Sequence, residues 1–135
     1  MGLDSSVKLF LKDLFVGMLC VEPNHRLLYN INRIMSAINE CGKMPQEMPE
    51  RFRKLIEGLD FYDGGLGPWS DSIERALSFI GFQDGVWWTC GEAPDYLHLR
   101  SGWVQYYLDE PEQVGLTSEE VAFLQNLAAK INGEG

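Results

Sequence analysis

The stretch GPWSDSIERALSFIG, residues 67–81, joins a turn to a helix and decides the fold prediction. Its Gly-Pro pair allows a tight turn of fixed direction, so Trp69 is expected to fold over the core as a buried hinge residue. Ser70 is a good helix N-cap, and acidic residues such as Asp71 and Glu74 are favoured in the first turn of a helix. Apolar side chains then recur at helical spacing: Ile73, Ala76, Leu77 and Ile80. We therefore predict a helix that begins after Ser70 and ends at Gly81.

A β-hairpin is predicted directly after this helix. The segment GVWWTC, residues 85–90, is bulky, aromatic and β-branched, which favours a strand. A five-residue turn rich in Gly, Pro and Asp follows, and YLHL, residues 96–99, is the return strand. Because neighbouring side chains of a strand point to opposite faces, one of Trp87 and Trp88 is expected inside and the other outside.

Three helices are predicted before the turn. The first covers 5–20, and the second begins at Asn24 as N-cap and runs to Cys41. Pro49 fits the first helical position of a shorter third helix, because proline lacks the N–H that this position leaves unbonded.

Two more helices are predicted after the hairpin, the first over 101–108. The second opens with a capping box of Thr117 and Glu120 and a hydrophobic staple of Leu116 and Val121.

We therefore predict a single domain, residues 1–135, that is mainly α-helical with a small β-hairpin, an α+β class. Its predicted parts are a helical part at 1–60, the Gly/Pro turn at 63–69 and a helix–hairpin–helix part at 70–135. Helices that lead into one hairpin are the plan of a winged-helix domain. An irregular α+β domain with a two-stranded sheet is the alternative.

The motif Gly67-Pro68-Trp69-Ser70, with Phe61-Tyr62 before it and the helix and hairpin after it, resembles a pattern of little-characterised prokaryotic winged-helix-like families. Their antitoxin-like and phage-associated members are the most similar, over roughly residues 7–108. Trp69 stands where tyrosine is more usual, and Ser101-Gly102 shortens the turn after the hairpin. The resemblance implies a winged-helix fold, and it implies a regulator or an interaction module rather than one defined activity.

The distribution of charge along the chain indicates which kind of partner the protein can bind. Lys and Arg balance Asp and Glu in residues 1–60, whereas residues 61–135 carry the whole net charge of −9. In a DNA-binding winged helix, the helix before the hairpin and the hairpin itself meet phosphates and need positive charge. Here that helix offers Arg75 against Asp71 and Glu74. The pattern disfavours nucleic acid and favours a protein partner or a homo-oligomer, with basic or apolar chemistry on the partner.

The candidate partner-binding residues are aromatic, because tryptophan and tyrosine are the usual anchors of protein interfaces. The hairpin and the helix after it supply Trp87, Trp88, Trp103, Tyr106 and Tyr107. Covering both adjacent tryptophans of the hairpin needs a second layer, which is either the last helix or another chain. Filling the core is the alternative role for each of these residues.

A transcription regulator that binds DNA is the alternative function. Its phosphate contacts would come from the basic cluster Arg51, Arg53 and Lys54. Pairing within the helix, Glu50 with Lys54 and Arg53 with Glu57, is the structural explanation of the same cluster.

Catalytic and cofactor motifs are not recognised in the sequence, and we predict a protein that is not an enzyme. Cys90, His98 and either Glu92 or Asp95 come close across the hairpin and resemble a thiol–imidazole–carboxylate set, which chance meetings of these residue types also produce. We predict no cofactor, no metal site, no small-molecule substrate and no membrane span. Three widely spaced cysteines indicate free thiols, and we predict a cytoplasmic protein.

Overall fold

The computed structural model describes residues 10–89, 95–109 and 116–133. In chain order its elements are α1 (Leu11–Val21), β1 (Arg26–Leu28), α2 (Ile31–Gly42), a 3₁₀ turn (Pro45–Glu47), α3 (Glu50–Glu57), β2 (Tyr62–Asp63), β3 (Pro68–Trp69), α4 (Asp71–Ile80), β4 (Val86–Trp88), β5 (Tyr96–Leu99), α5 (Ser101–Asp109) and α6 (Ser118–Asn132). The predicted class, mainly helical α+β with a small antiparallel sheet, is confirmed. The winged-helix assignment remains a prediction.

The predicted helix caps form where the signal is local. The Ser70 hydroxyl accepts a hydrogen bond from the Ile73 N–H and starts α4. At α6, the Thr117 hydroxyl accepts from the Glu120 N–H while the Glu120 carboxylate accepts from the Thr117 N–H. Gly133 ends α6 at a φ of 79°.

Asn24 does not cap the second helix, and that prediction is wrong. The carboxylate of Glu22 accepts hydrogen bonds from the backbone N–H groups of Asn24 and Arg26, which closes a tight turn. His25 occupies that turn at a φ of 52°. Strand β1 then precedes α2, whose N-cap is Asn30, with its side chain accepting from the Arg33 N–H.

The third helix also begins one residue later than predicted, because Pro49 is the N-cap of α3 rather than its first helical residue.

Strand β1 completes a three-stranded antiparallel sheet of order β1–β5–β4. In the register, Arg26 lies opposite His98, and His98 lies opposite Trp87. The predicted hairpin is therefore present as β4 and β5, with residues 90–94 outside the described part. A second, two-stranded sheet pairs Tyr62 with Trp69 before α4.

The core lies between one face of the larger sheet and the helices. Leu27, Leu97 and Leu99 on that face are buried, and they belong to the same apolar cluster as the buried stripe of α1. Trp69 is half-buried against this cluster. Helix α1 contacts α4, α5 and α6 as well as the sheet, so it lies at the centre of the molecule.

The outer edge of β1 is closed by α6. The side-chain amide of Asn132 accepts a hydrogen bond from the Leu28 N–H at 2.7 Å and donates one to the Arg26 carbonyl at 3.1 Å. These two bonds replace the contacts that another strand would make at this edge.

Within the described ranges, no helix has the length and apolar character needed to cross a membrane.

Candidate binding face

The sheet has a second face, opposite the core, that we call the outer face. Strand alternation and register place six polar or aromatic residues on it, beside the apolar Leu28: Arg26, Trp87, Thr89, Tyr96, His98 and Arg100. Thr89 and Arg100 extend the ladder by one residue at each end of the β4–β5 pair, because their N–H groups bond to the carbonyls of Tyr96 and Gly85. None of the six is acidic, although the protein carries a net charge of −9.

Trp87 is the most prominent side chain of the outer face. Its ring stacks on that of His98, with centroids 4.0 Å apart and planes 10° from parallel. The indole is nevertheless 41% exposed. The guanidinium of Arg100 lies 5.9 Å from the same ring. Trp87 is therefore an exposed aromatic side chain that its own neighbours hold in place.

The outer face carries two arginines, Arg26 and Arg100, and the backbone N–H of Arg26 bonds to the Glu22 carboxylate. Arg26 lies over the ring of Tyr96 at 4.5 Å, a cation–π distance. Among the described residues, neither Arg26 nor Arg100 forms an ion pair. The Nε atom of Arg26 is buried and has no hydrogen-bond partner among the residues that the structure describes. The side chains of Arg26 and Arg100 are therefore not paired with a carboxylate of the described part of the chain.

His98 is neutral near pH 7. Burial, and then the positive charge of Arg26, lower the pKa of its imidazole below the ordinary 6.5. Its Nε2 atom lies 2.5 Å from the hydroxyl oxygen of Thr89, a hydrogen bond that fixes the ring. Of the predicted thiol–imidazole–carboxylate set, Cys90 and Glu92 lie outside the described residues.

Trp88 points into the molecule, as alternation requires of one member of the pair. It packs edge-to-face on Tyr29, with ring centroids 4.3 Å apart. Its indole also lies against Gly81, where a Cβ atom would collide with it. Trp88 is therefore half-buried on the core side of the sheet, where it packs against its own chain.

The aromatic residues of α5 differ in how far they are exposed. Trp103 is half-buried over Gly85, and Tyr106 packs edge-to-face on Trp103 while remaining 42% exposed. Tyr107 is only 4% exposed, and its hydroxyl donates to the Asp84 carbonyl at 2.9 Å. Burial raises the pKa of that hydroxyl to about 12. The structure thus removes Tyr107 from the candidate contact residues, because it belongs to the core.

Between α4 and the hairpin, two exposed aromatic residues were not among the predicted contact residues. Phe79 and Phe82 are 61% and 83% exposed at the end of α4 and in the loop after it. The signal was present in the sequence: Phe79 lies off the apolar stripe of α4, and Phe82 follows the residue that ends the helix. Tyr106 packs on Trp103, which contacts Gly85 of the loop at 81–85. We call the three exposed residues Phe79, Phe82 and Tyr106 the loop aromatics.

The basic cluster of α3 is not an open phosphate site. Arg51 is buried and binds Glu120 of α6 in a bidentate pair, with Nε 2.7 Å from Oε2. Lys54 pairs with Glu50 at 3.5 Å on the surface, as the intrahelical explanation predicted. Arg53 forms no such pair with Glu57 among the described residues. Only Arg53 and Lys54 therefore remain accessible for the DNA-binding alternative.

The described thiols are protonated. Burial raises the pKa of Cys20 to about 12 and also raises the pKa of Cys41. Cys41 lines a mainly apolar cleft, of about 540 Å³, between α6 and the segment at 44–49. Because the thiolate is the reactive form, neither thiol is an activated nucleophile. No group of three potential metal ligands lies together within the described ranges.

Comparisons of the chain with models of protein families, with curated proteins and with solved structures give no match.

Proposed function

We propose that this protein is a non-enzymatic interaction module that binds a protein partner, or a second copy of itself, through the outer face of its sheet. The observation that carries the proposal is the state of Trp87, which is 41% exposed and yet stacked on His98. An exposed tryptophan contributes much binding energy when a partner covers it, and tryptophan, tyrosine and arginine dominate interface hot spots. The outer face combines all three residue types.

The anchors of this face are held rigidly before binding. Trp87 is fixed by its stack on His98, and the His98 ring is fixed in turn by Thr89. Arg26 is fixed over Tyr96. Because little side-chain freedom is left to lose, association through these groups has a low entropic cost.

The loop aromatics extend the proposed contact surface. Gly81 packs under Trp88 and Gly85 under Trp103, so the loop that joins α4 to β4 is tied down at both ends. Phe79, Phe82 and Tyr106 project from this fixed framework. Aromatic residues are enriched at protein-binding surfaces.

The proposal includes a winged-helix architecture and a regulatory role. In its support, β1 lies between the first two helices and pairs with the second strand of the β4–β5 hairpin, and α4 directly precedes that hairpin. A cytoplasmic location is supported by the free thiols of Cys20 and Cys41.

Duplex DNA is disfavoured as the partner. The exposed side of α4, which a DNA-binding winged helix would place in the major groove, carries Asp71, Glu74 and Arg75. Arg51 is held in its buried ion pair with Glu120. Within the basic cluster of α3, the DNA-binding alternative therefore keeps only Arg53 and Lys54. Two such residues are too few for a phosphate-dominated interface.

Photo-cross-linking in the cells that make the protein tests this proposal. A benzophenone amino acid replaces Trp87 in one variant and exposed Glu57 of α3 in a matched control. We expect a discrete adduct from position 87, with a second copy or another protein, and none from position 57. No adduct at position 87, or the same adduct at both positions, would contradict the proposal.

A further inference from the structure

We propose that the outer face accepts an acidic peptide segment of its protein partner. In this arrangement carboxylates of the segment meet Arg26 and Arg100, and an apolar or aromatic side chain packs on Trp87. The inference rests on the proposed function and specifies the chemistry of the partner. It reverses the basic or apolar partner that the net charge of the chain favours.

The local charge of the outer face is opposite to that of the whole protein. Its six polar or aromatic residues include two arginines and no carboxylate, against a net charge of −9 for the chain. Among the described residues, Arg26 is the charged group that perturbs the imidazole of His98. A partner segment that lies on this face therefore meets positive charge, and charge complementarity selects carboxylates.

The positive groups flank the exposed ring. Arg26 and Trp87 lie on the two sides of His98 in one cross-strand row, and Arg100 is two residues further along β5. Adjacent strands are about 4.8 Å apart and two residues span about 6.8 Å, so these side chains lie within reach of one short segment. A guanidinium binds a carboxylate through two parallel hydrogen bonds, which also fixes the orientation of the segment.

The segment is expected to lie across the face rather than along the edge of β1. Asn132 already bonds to the outward N–H and carbonyl groups of that edge. Addition of a strand to β1 would require these two bonds to break. Side-chain recognition on the face needs no such rearrangement.

A protein segment fits this face better than a nucleic acid. A long polyphosphate chain would also experience the net charge of −9, which acts over about a Debye length, 8–10 Å at ordinary salt. A short segment with few carboxylates experiences mainly the two nearby arginines. The acidic segment therefore keeps the local attraction and avoids most of the long-range repulsion.

A selection from short random displayed peptides tests the inference on the full chain. The enriched pool is then bound to the wild type, to Trp87→Ala, to the double variant Arg26→Gln/Arg100→Gln, and to Arg75→Gln. Arg75 is the matched control because it is an exposed arginine on α4, away from the outer face. Thermal unfolding verifies that each variant is folded.

We expect enriched peptides with an excess of Asp and Glu over the starting library. Their binding falls by about tenfold or more with Trp87→Ala and with the double variant, and is unchanged with Arg75→Gln. The inference is overturned if the enriched peptides are neutral or basic and still bind the double variant. If their binding nevertheless depends on Trp87, the proposed function stays intact. No enrichment, or a pool indifferent to Trp87→Ala, contradicts both. Displacement of the pool by a short thymidine oligonucleotide would instead indicate a nucleic-acid ligand.

Discussion

Arg51 of α3 and Glu120 of α6 form a buried bidentate ion pair that joins two helices distant in sequence. Glu120 is also the acidic member of the capping box of α6, where it accepts from the Thr117 N–H. One carboxylate therefore starts a helix and binds that helix to the rest of the core. Arg51, one residue of the basic cluster of α3, therefore stabilises the fold.

Arg51→Ala is expected to lower the free energy of unfolding by about 3–5 kcal/mol, because it leaves the Glu120 carboxylate buried without its main partner. Lys54→Ala removes the exposed pair with Glu50 on the same helix and should cost less than about 1 kcal/mol. Urea unfolding of the two variants measures the difference. Equal losses would show that the Arg51 pair contributes no more than a surface pair.

The same pair predicts a pH dependence. Burial raises the pKa of Glu120, but hydrogen bonds from Arg51 and Thr117 outweigh burial and hold it below the ordinary 4.5. A lowered native pKa stabilises the fold above 4.5, and this contribution is lost as the pH falls through the native pKa. We expect the stability of the wild type to fall more steeply below pH 4.5 than that of Glu120→Gln, in unfolding curves taken at several pH values. Parallel curves would contradict this account.

Gly85→Ala is expected to destabilise the protein by at least about 2 kcal/mol. Gly85 has a φ of 82°, which costs a side-chain-bearing residue about 1–2 kcal/mol, and a Cβ atom there would collide with Trp103. Gly102→Ala is the control: it lies in α5 with open space around it and should be neutral or stabilising by up to about 1 kcal/mol. Thermal melting compares them, and a harmless Gly85→Ala would mean that Trp103 does not pack on the loop.

His98 should titrate below 6.5 in the folded protein, because burial and Arg26 both disfavour its charged form. Its ring and hydrogen-bond neighbours on the outer face are Trp87, Tyr96 and Thr89. Replacing Arg26 by Gln should raise the midpoint in an NMR titration of the imidazole, whereas Arg75→Gln should not. A midpoint unchanged by Arg26→Gln would place the arginine too far away to matter.

The sequence predicted features whose signals are local. Ser70 and Thr117 cap helices as expected, since the capping side chain and its N–H partner are three residues apart. Alternation correctly separates Trp87 from Trp88, but it cannot say which one lies inside. That choice depends on the space over Gly81 and on Tyr29, and both are tertiary.

Long-range features could not be predicted from such patterns. Strand β1 has three residues, and its Leu27 continues the helical spacing of Ile31 and Ile34, so the segment resembles the start of a helix. It is a strand because it pairs with β5, about seventy residues later. The pairing of Arg51 with Glu120 spans 69 positions and is equally invisible in the sequence. The charge of the outer face depends on the same strand pairing.

Fluorine NMR of the protein labelled with fluorotryptophan tests the central claim most directly, because the four tryptophans report on four places. Signals are assigned with single Trp→Phe variants and recorded before and after addition of soluble extract from the protein's own cells. We predict that the Trp87 signal shifts or broadens selectively, while the signal of Trp69, half-buried at the hinge before α4, does not change. An unchanged Trp87 signal, or equal broadening of all four, would contradict the assignment of the outer face as the binding face.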